Sequence, residues 1–137
     1  MRLRTPHRAV QRGPAAQGFI LKGALTTRAA GREAERRARL HYRLRGYRIL
    51  DANVWIGGHE LDVVVRRGRR LVFCEVKAKG GDGLGDPLEM VGPEKQRRLR
   101  LAAEAWLAAH PEHASLECSF EVVAVRGGKL ERLRDAF

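Results

Sequence analysis

The chain has 137 residues, 44% of them hydrophobic and 31% charged, with a formal net charge of +11. That length suits one domain whose core can stand without disulfide staples. The charge favours polyanionic partners, and the lack of any apolar run approaching the length of a membrane span argues against a membrane protein.

Residues 1–30 carry six basic residues and no acid, with Pro6, Gly13, Pro14, Gly18 and Gly23 scattered among apolar residues of no clear period. They read as a basic disordered arm, or as sequence upstream of a working start near residue 24. The ordered domain is expected to span residues 31–137. A helix is expected over 32–45, rich in Arg, Ala, Glu and Leu, with Ala34, Ala38, His41 or Tyr42 and Arg45 marking one face and Gly46 ending it. Tyr47 to Ile56 reads as a first strand kinked near Asp51-Ala52-Asn53. Residues 59–66 and 70–78 read as a second and third strand.

The loop that follows, 80–87, is glycine-rich but lacks a lysine in the P-loop position. Gly92-Pro93 opens a second helix to about Ala109, with Leu99, Ala102, Ala103, Trp106 and Ala109 as its apolar stripe. His110 and His113 flank Pro111 as loop residues. Residues 120–125 and 129–133 are a fourth and fifth strand joined at Gly127-Gly128. The order α-β-β-β-α-β-β predicts a central mixed five-stranded sheet with a helix on either face. Cys74 and Cys118 lie in strands, out of any metal-ligand spacing, and read as small buried thiols, which suits a reducing cytoplasm.

The chemistry concentrates on the hairpin of the second and third strands. Strand side chains alternate between faces, so Glu60 and Asp62 share one face and Glu75 and Lys77 share one face. A two-residue loop at Gly68-Arg69 pairs Arg67 with Arg70 and sets Asp62 opposite Glu75, with β-carbons roughly 4.5–5.5 Å apart. A loop at Arg67-Gly68 shifts the pairs but keeps the faces together, and a three-residue loop separates them. Two carboxylates that close repel, and a hard divalent cation such as Mg²⁺ relieves the conflict by taking one or two of them as ligands. Lys77 is placed to reach a water or a phosphate beside it. A Glu-x-Lys pair alone is usually a solvated strand end; joined by Glu-x-Asp across a turn, it becomes a candidate metal site.

The pattern Asp62…Glu75-x-Lys77 on a hairpin after an N-terminal helix resembles the PD-(D/E)XK nuclease superfamily, the restriction-endonuclease-like fold. More closely, Gly31…Ala34-Glu35…Gly46-Tyr47-Arg48-Ile49-Leu50…Asn53, Glu60-Leu61-Asp62, Phe73-Cys74-Glu75-Val76-Lys77 and Lys95…Leu99 resemble the YraN-like family of small bacterial proteins. The resemblance covers roughly residues 31–126, about 70% of the chain. It implies catalytic roles for Asp62, Glu75 and Lys77, and adds Glu35, which matches a helical glutamate that helps complete the metal site in archaeal Holliday-junction resolvases. Glu60 matches an acid typical of the YraN-like family, and Lys95 or Gln96 falls where some superfamily members place a further active-site residue. The chain departs from the family at His59, usually glycine, at Lys79, usually arginine, and at Glu121, usually aspartate.

Together these readings predict a nuclease that uses Mg²⁺ or Mn²⁺. Asp62, Glu75 and Glu35 would hold the metal, and Lys77 and Glu60 would complete the catalytic set. Lys79, Lys95, Gln96, Arg97 and Arg98 are the expected nucleic-acid contacts. DNA is the expected substrate, in branched or repair intermediates, and a homodimer is compatible with this reading. The alternative is a catalytically silent nucleic-acid-binding module on the same fold. Trp106 reads as core rather than as a base-stacking platform, and His59 as a weak metal candidate on the face away from Glu60.

Overall fold

A computed structural model describes residues 22–78 and 91–137, with side chains from residue 28 onward. The elements in chain order are α1 (Lys22–Leu44), β1 (Arg48–Ile56), β2 (His59–Arg67), β3 (Arg70–Ala78), α2 (Pro93–Ala109), a 3-10 turn (Pro111–His113), β4 (Glu117–Arg126) and β5 (Lys129–Leu133). They form one five-stranded sheet in the order β1-β2-β3-β4-β5. All neighbours are antiparallel except β3 and β4, which run parallel. A parallel pair needs a long crossover, and α2 lies within it. The expected mixed sheet between two helices, the restriction-endonuclease-like α/β architecture, is therefore the observed one. Among the described residues no helix is long and apolar enough to cross a membrane.

The two helices bury separate cores. Ala34, Ala38 and Tyr42 of α1 pack with Tyr47, Val63, Val65, Val72, Cys74, Val123 and Val125. On the other side Leu99, Ala102, Ala103 and Trp106 of α2 pack with Val54, Val64, Leu71, Phe73 and Val122. Helix α1 starts at Lys22, well before the expected residue 32, and runs through Gly31. One glycine inside a run of helix formers costs only about 1 kcal/mol, too little to break a helix flanked by Ala29, Ala30 and Ala34. Its other end is a Schellman cap. Gly46 sits at φ 87°, Tyr47 N–H donates to Tyr42 C=O and Gly46 N–H to Arg43 C=O, both at 3.0 Å, and the Tyr42 and Tyr47 rings pack edge-on.

The kink in β1 is a register shift between Ile49 and Asp51, with Asn53 at φ 51°. Asp51 uses the bend to accept the indole N–H of Trp106 at 3.0 Å, which ties β1 to α2. Strand β4 begins at Glu117, three residues before its expected start, because it follows β3 from Arg70↔Glu117 to Ala78↔Val125. Cys118, at the start of this strand, is exposed rather than buried, while Cys74 is buried as expected. His110 and His113 are buried rather than loop-exposed. Both rings stack on Trp106, with His110 at 3.9 Å between centroids. Their nitrogens find partners in Trp106 C=O and Arg66, so the histidines, not Ala109, close the apolar stripe of α2.

The β1–β2 turn is pressed against α2. A Cβ on Gly57 would stand 3.0 Å from Ala105 Cβ, 3.2 Å from Ala102 Cα and 3.3 Å from Leu101 C=O, at a backbone φ of +63°. Gly57→Ala is therefore expected to cost roughly 2 kcal/mol or more, from the left-handed conformation and from pushing the turn off the helix. Equilibrium urea denaturation checks this, and an unchanged midpoint would show that the turn yields freely.

Candidate active site

The hairpin closes through the two-residue loop at Gly68-Arg69. Arg67 pairs with Arg70 and Val63 with Cys74, and Gly68 takes φ +61° as the first central residue of such a turn requires. Regular alternation carries only as far as Val63. Beyond it Leu61, which strict alternation would set beside Val63 and Val65, packs instead with Val54 and Val64 in the α2-side core. Here the side chain of Asp62 takes over from the backbone ladder, accepting Val76 N–H at 2.9 Å.

Glu60, Asp62 and Glu75 line one cleft of about 380 Å³, with Trp55 from the end of β1, Gly58 from the turn, His59 from the start of β2, and Lys95 and Arg98 from α2. Glu75 is buried. Its Oε2 lies 3.1 Å from Lys95 Nζ and 3.5 Å from Lys77 Nζ. Both lysines predicted for the site thus meet the same carboxylate oxygen, and Lys95 is the nearer. Asp62 is held well above the usual carboxylate range, first by burial, then by the charge of Glu75, with smaller pushes from Glu35 and Glu60; the Val76 N–H works in the opposite direction. His59 is lowered, by burial and then by Lys95. It lines the same cleft as Glu60, because the strand end beside the turn departs from the flat alternation that put it on the far face.

Glu35 lies close enough to act on Asp62 but lines a neighbouring hollow of about 970 Å³, with Arg28, Arg32, Arg36, Arg39 and Asn53 among its walls. The Gln96 side chain donates to Val91 C=O at 3.0 Å and braces the start of α2. Arg97 and Arg98 both bind Glu94, and Arg98 also reaches the cleft. Lys79 and the loop 80–87 lie outside the described residues. Among the described residues no three His, Cys, Asp or Glu side chains form a group that could hold a metal. Asp62 and Glu75 are a pair of hard oxygen donors beside lysines, and a pair fits Mg²⁺ or Mn²⁺, which keep several waters and take one or two protein carboxylates. Trp55 was absent from the expected site because nothing in a lone strand tryptophan distinguishes rim from core. Its signal was the Gly57-Gly58 turn next to it and Glu60 across the strands.

The crowding of Asp62 has a measurable consequence. Its carboxyl titrates higher folded than unfolded, so above the unfolded value, about pH 4, its charge opposes folding. Asp62→Asn keeps an oxygen for Val76 N–H and removes that charge. In metal-free buffer at pH 7 the variant is expected to melt a few degrees above the wild type, with the gap closing below about pH 4. Calorimetric melts across pH check this, and a lower melting temperature at pH 7 would mean the carboxylate is already compensated.

A mixed sheet between two helices, with aspartate on one hairpin strand and Glu-x-Lys on the next, defines a protein of the restriction-endonuclease-like class. Residues 34–125 match the uncharacterised protein family UPF0102, and the chain belongs to this YraN-like family. It is similar to a UPF0102 protein of Dechloromonas aromatica, 38% identical over 112 residues that cover 82% of this chain and 91% of the relative. It is also similar to a UPF0102 protein of Yersinia pseudotuberculosis, 39% identical over 114 residues that cover 82% of this chain and 97% of the relative. The matched segment includes Glu35, Glu60, Asp62, Glu75, Lys77 and Lys95.

Proposed function

We propose that the chain hydrolyses phosphodiester bonds in DNA with the help of Mg²⁺ or Mn²⁺. The observation that carries this reading is the meeting of Asp62, Glu75, Lys77 and Lys95 at the open end of one hairpin, in a cleft that a basic protein exposes to polyanions. Asp62 and Glu75 would hold the cation, with Glu60 and Glu35 close by to tune the field. When bound, the metal supplies charge to a phosphoryl oxygen and a lowered pKa to a water.

The chain's own residues do the rest. Lys77 and Lys95 sit on one oxygen of Glu75 and can turn from it to a phosphate oxygen, where their charge offsets the negative charge that builds in the transition state. Arg98 at the rim, and the arginines of α1 around the hollow beside Glu35, provide the phosphate contacts that orient a strand. Binding is expected to fall steeply with salt, as it does wherever Lys and Arg displace counterions.

A second reading rests on the same two lysines. They already neutralise Glu75, which is what a module that binds nucleic acid without cutting it would need. Incubation of the full chain with single-stranded, duplex and branched DNA, with and without Mg²⁺ or Mn²⁺, separates the two. Metal-dependent products that vanish with Asp62→Ala support the nuclease. Salt-sensitive binding without products in any metal supports the silent module.

A further inference from the structure

Trp55 is 53% exposed, one of four large apolar side chains left in solvent among the described residues. It lines the same cleft as the carboxylates. Across the strands it stands directly opposite Glu60, and Gly57, two residues on, is pressed against α2, so this tryptophan is carried on a paired strand end rather than a loose loop. Lys95 and Arg98 line the same cleft. The other tryptophan, Trp106, is buried in the core.

We infer that Trp55 is a stacking platform for an unpaired base, and that the cleft takes a single nucleotide with its phosphate directed to Lys95 and Arg98. A cleft of about 380 Å³ is the size of a small-molecule site. An indole face accepts any base once it is unstacked, whereas paired bases present no face to it. A cationic wall without an aromatic would suit a duplex backbone as well as a single strand; the tryptophan beside it selects for bases that are free. This inference rests on the DNA-cleaving reading and specifies its substrate as single-stranded or frayed DNA.

The experiment uses metal-free buffer at low salt, an oligothymidine and a blunt duplex of equal length. Wild-type chain is expected to bind the oligothymidine with marked quenching of its tryptophan emission, and the duplex with little. Trp55→Ala is expected to weaken oligothymidine binding about tenfold while leaving duplex binding unchanged. Trp55→Phe should retain most of the affinity and lose the quenching, since only buried Trp106 then remains. Unchanged single-strand affinity in Trp55→Ala, equal losses for both ligands, quenching that persists in Trp55→Phe, or no binding of oligothymidine by the wild type would each overturn the inference. The two readings fail separately. Selective, Trp55-dependent binding without cleavage in any metal defeats the nuclease and leaves the platform standing. Asp62-dependent cleavage that Trp55→Ala leaves intact on single strands does the reverse.

Discussion

In Mg²⁺ or Mn²⁺, Asp62→Ala and Lys77→Ala are each expected to lower the rate of DNA cleavage by about a hundredfold or more. The two losses have different origins. Asp62→Ala removes one of the two hard oxygen donors and also the acceptor of Val76 N–H, so it acts on both the cation and the strand end. Lys77→Ala leaves the carboxylates in place and removes a charge that would offset the transition state. Its effect should therefore fall on kcat, with metal affinity little changed. Lys95→Ala is the informative comparison, because Lys95 stands nearer to Glu75 than Lys77 does. Time courses on labelled DNA, with metal titrations for each variant, read both quantities. Equal activity in Asp62→Ala and wild type would remove this cleft from the chemistry.

Glu121→Ala is expected to destabilise the fold by about 3–5 kcal/mol, a large part of what a domain of this size holds. Glu121 is fully buried. It accepts from Tyr42 O–H at 2.6 Å, from Arg132 Nε at 2.7 Å and from Arg70 at 3.0 Å. Truncating it leaves Arg132 sunk beside the Tyr42 and Tyr47 rings with no carboxylate. Burial alone would raise the Glu121 carboxyl, but the bonds from Arg132, Tyr42 and Arg70 outweigh it and hold the group below its ordinary value. Its stabilising contribution is thus complete above the unfolded value, about pH 4 to 5, and is lost as pH falls through the lower, folded one. Urea titrations at pH 7 and at pH 4 and below measure this. Glu121→Gln should lose less than alanine at pH 7 and should flatten the acid limb. A loss under 1 kcal/mol for Glu121→Ala would mean that the arginines find other partners.

The elements of this fold were legible because each has strong local punctuation. Gly46, Gly68, Pro93 and Gly127 stand at turns and caps whose geometry admits few alternatives. The hairpin register followed from one glycine, since a two-residue loop at Gly68-Arg69 sets the pairs from Arg67↔Arg70 back to Val63↔Cys74, though not the expected pair of Asp62 with Glu75 beyond them. Tertiary contacts decided what was not legible. Nothing local in Leu61 or His59 says that alternation lapses where the ladder gives way to a side chain. His110 and His113 look like loop residues until Trp106 offers its ring. Glu121 reads as an ordinary alternate residue of a strand, and only the arrival of Tyr42 from α1 and Arg132 from β5 turns it into a buried hub. Lys95 was placed by resemblance alone, because its partner Glu75 lies 20 residues away across the crossover.

The bond from Val76 N–H to Asp62 makes the site audible to the backbone. Where other amides of β3 answer to a neighbouring strand, this one answers to a carboxylate. Any change of charge or occupancy at Asp62 alters the acceptor that Val76 feels and travels along the strand that carries Glu75 and Lys77 on either side. A single amide resonance can thus report on a centre whose groups absorb no visible light.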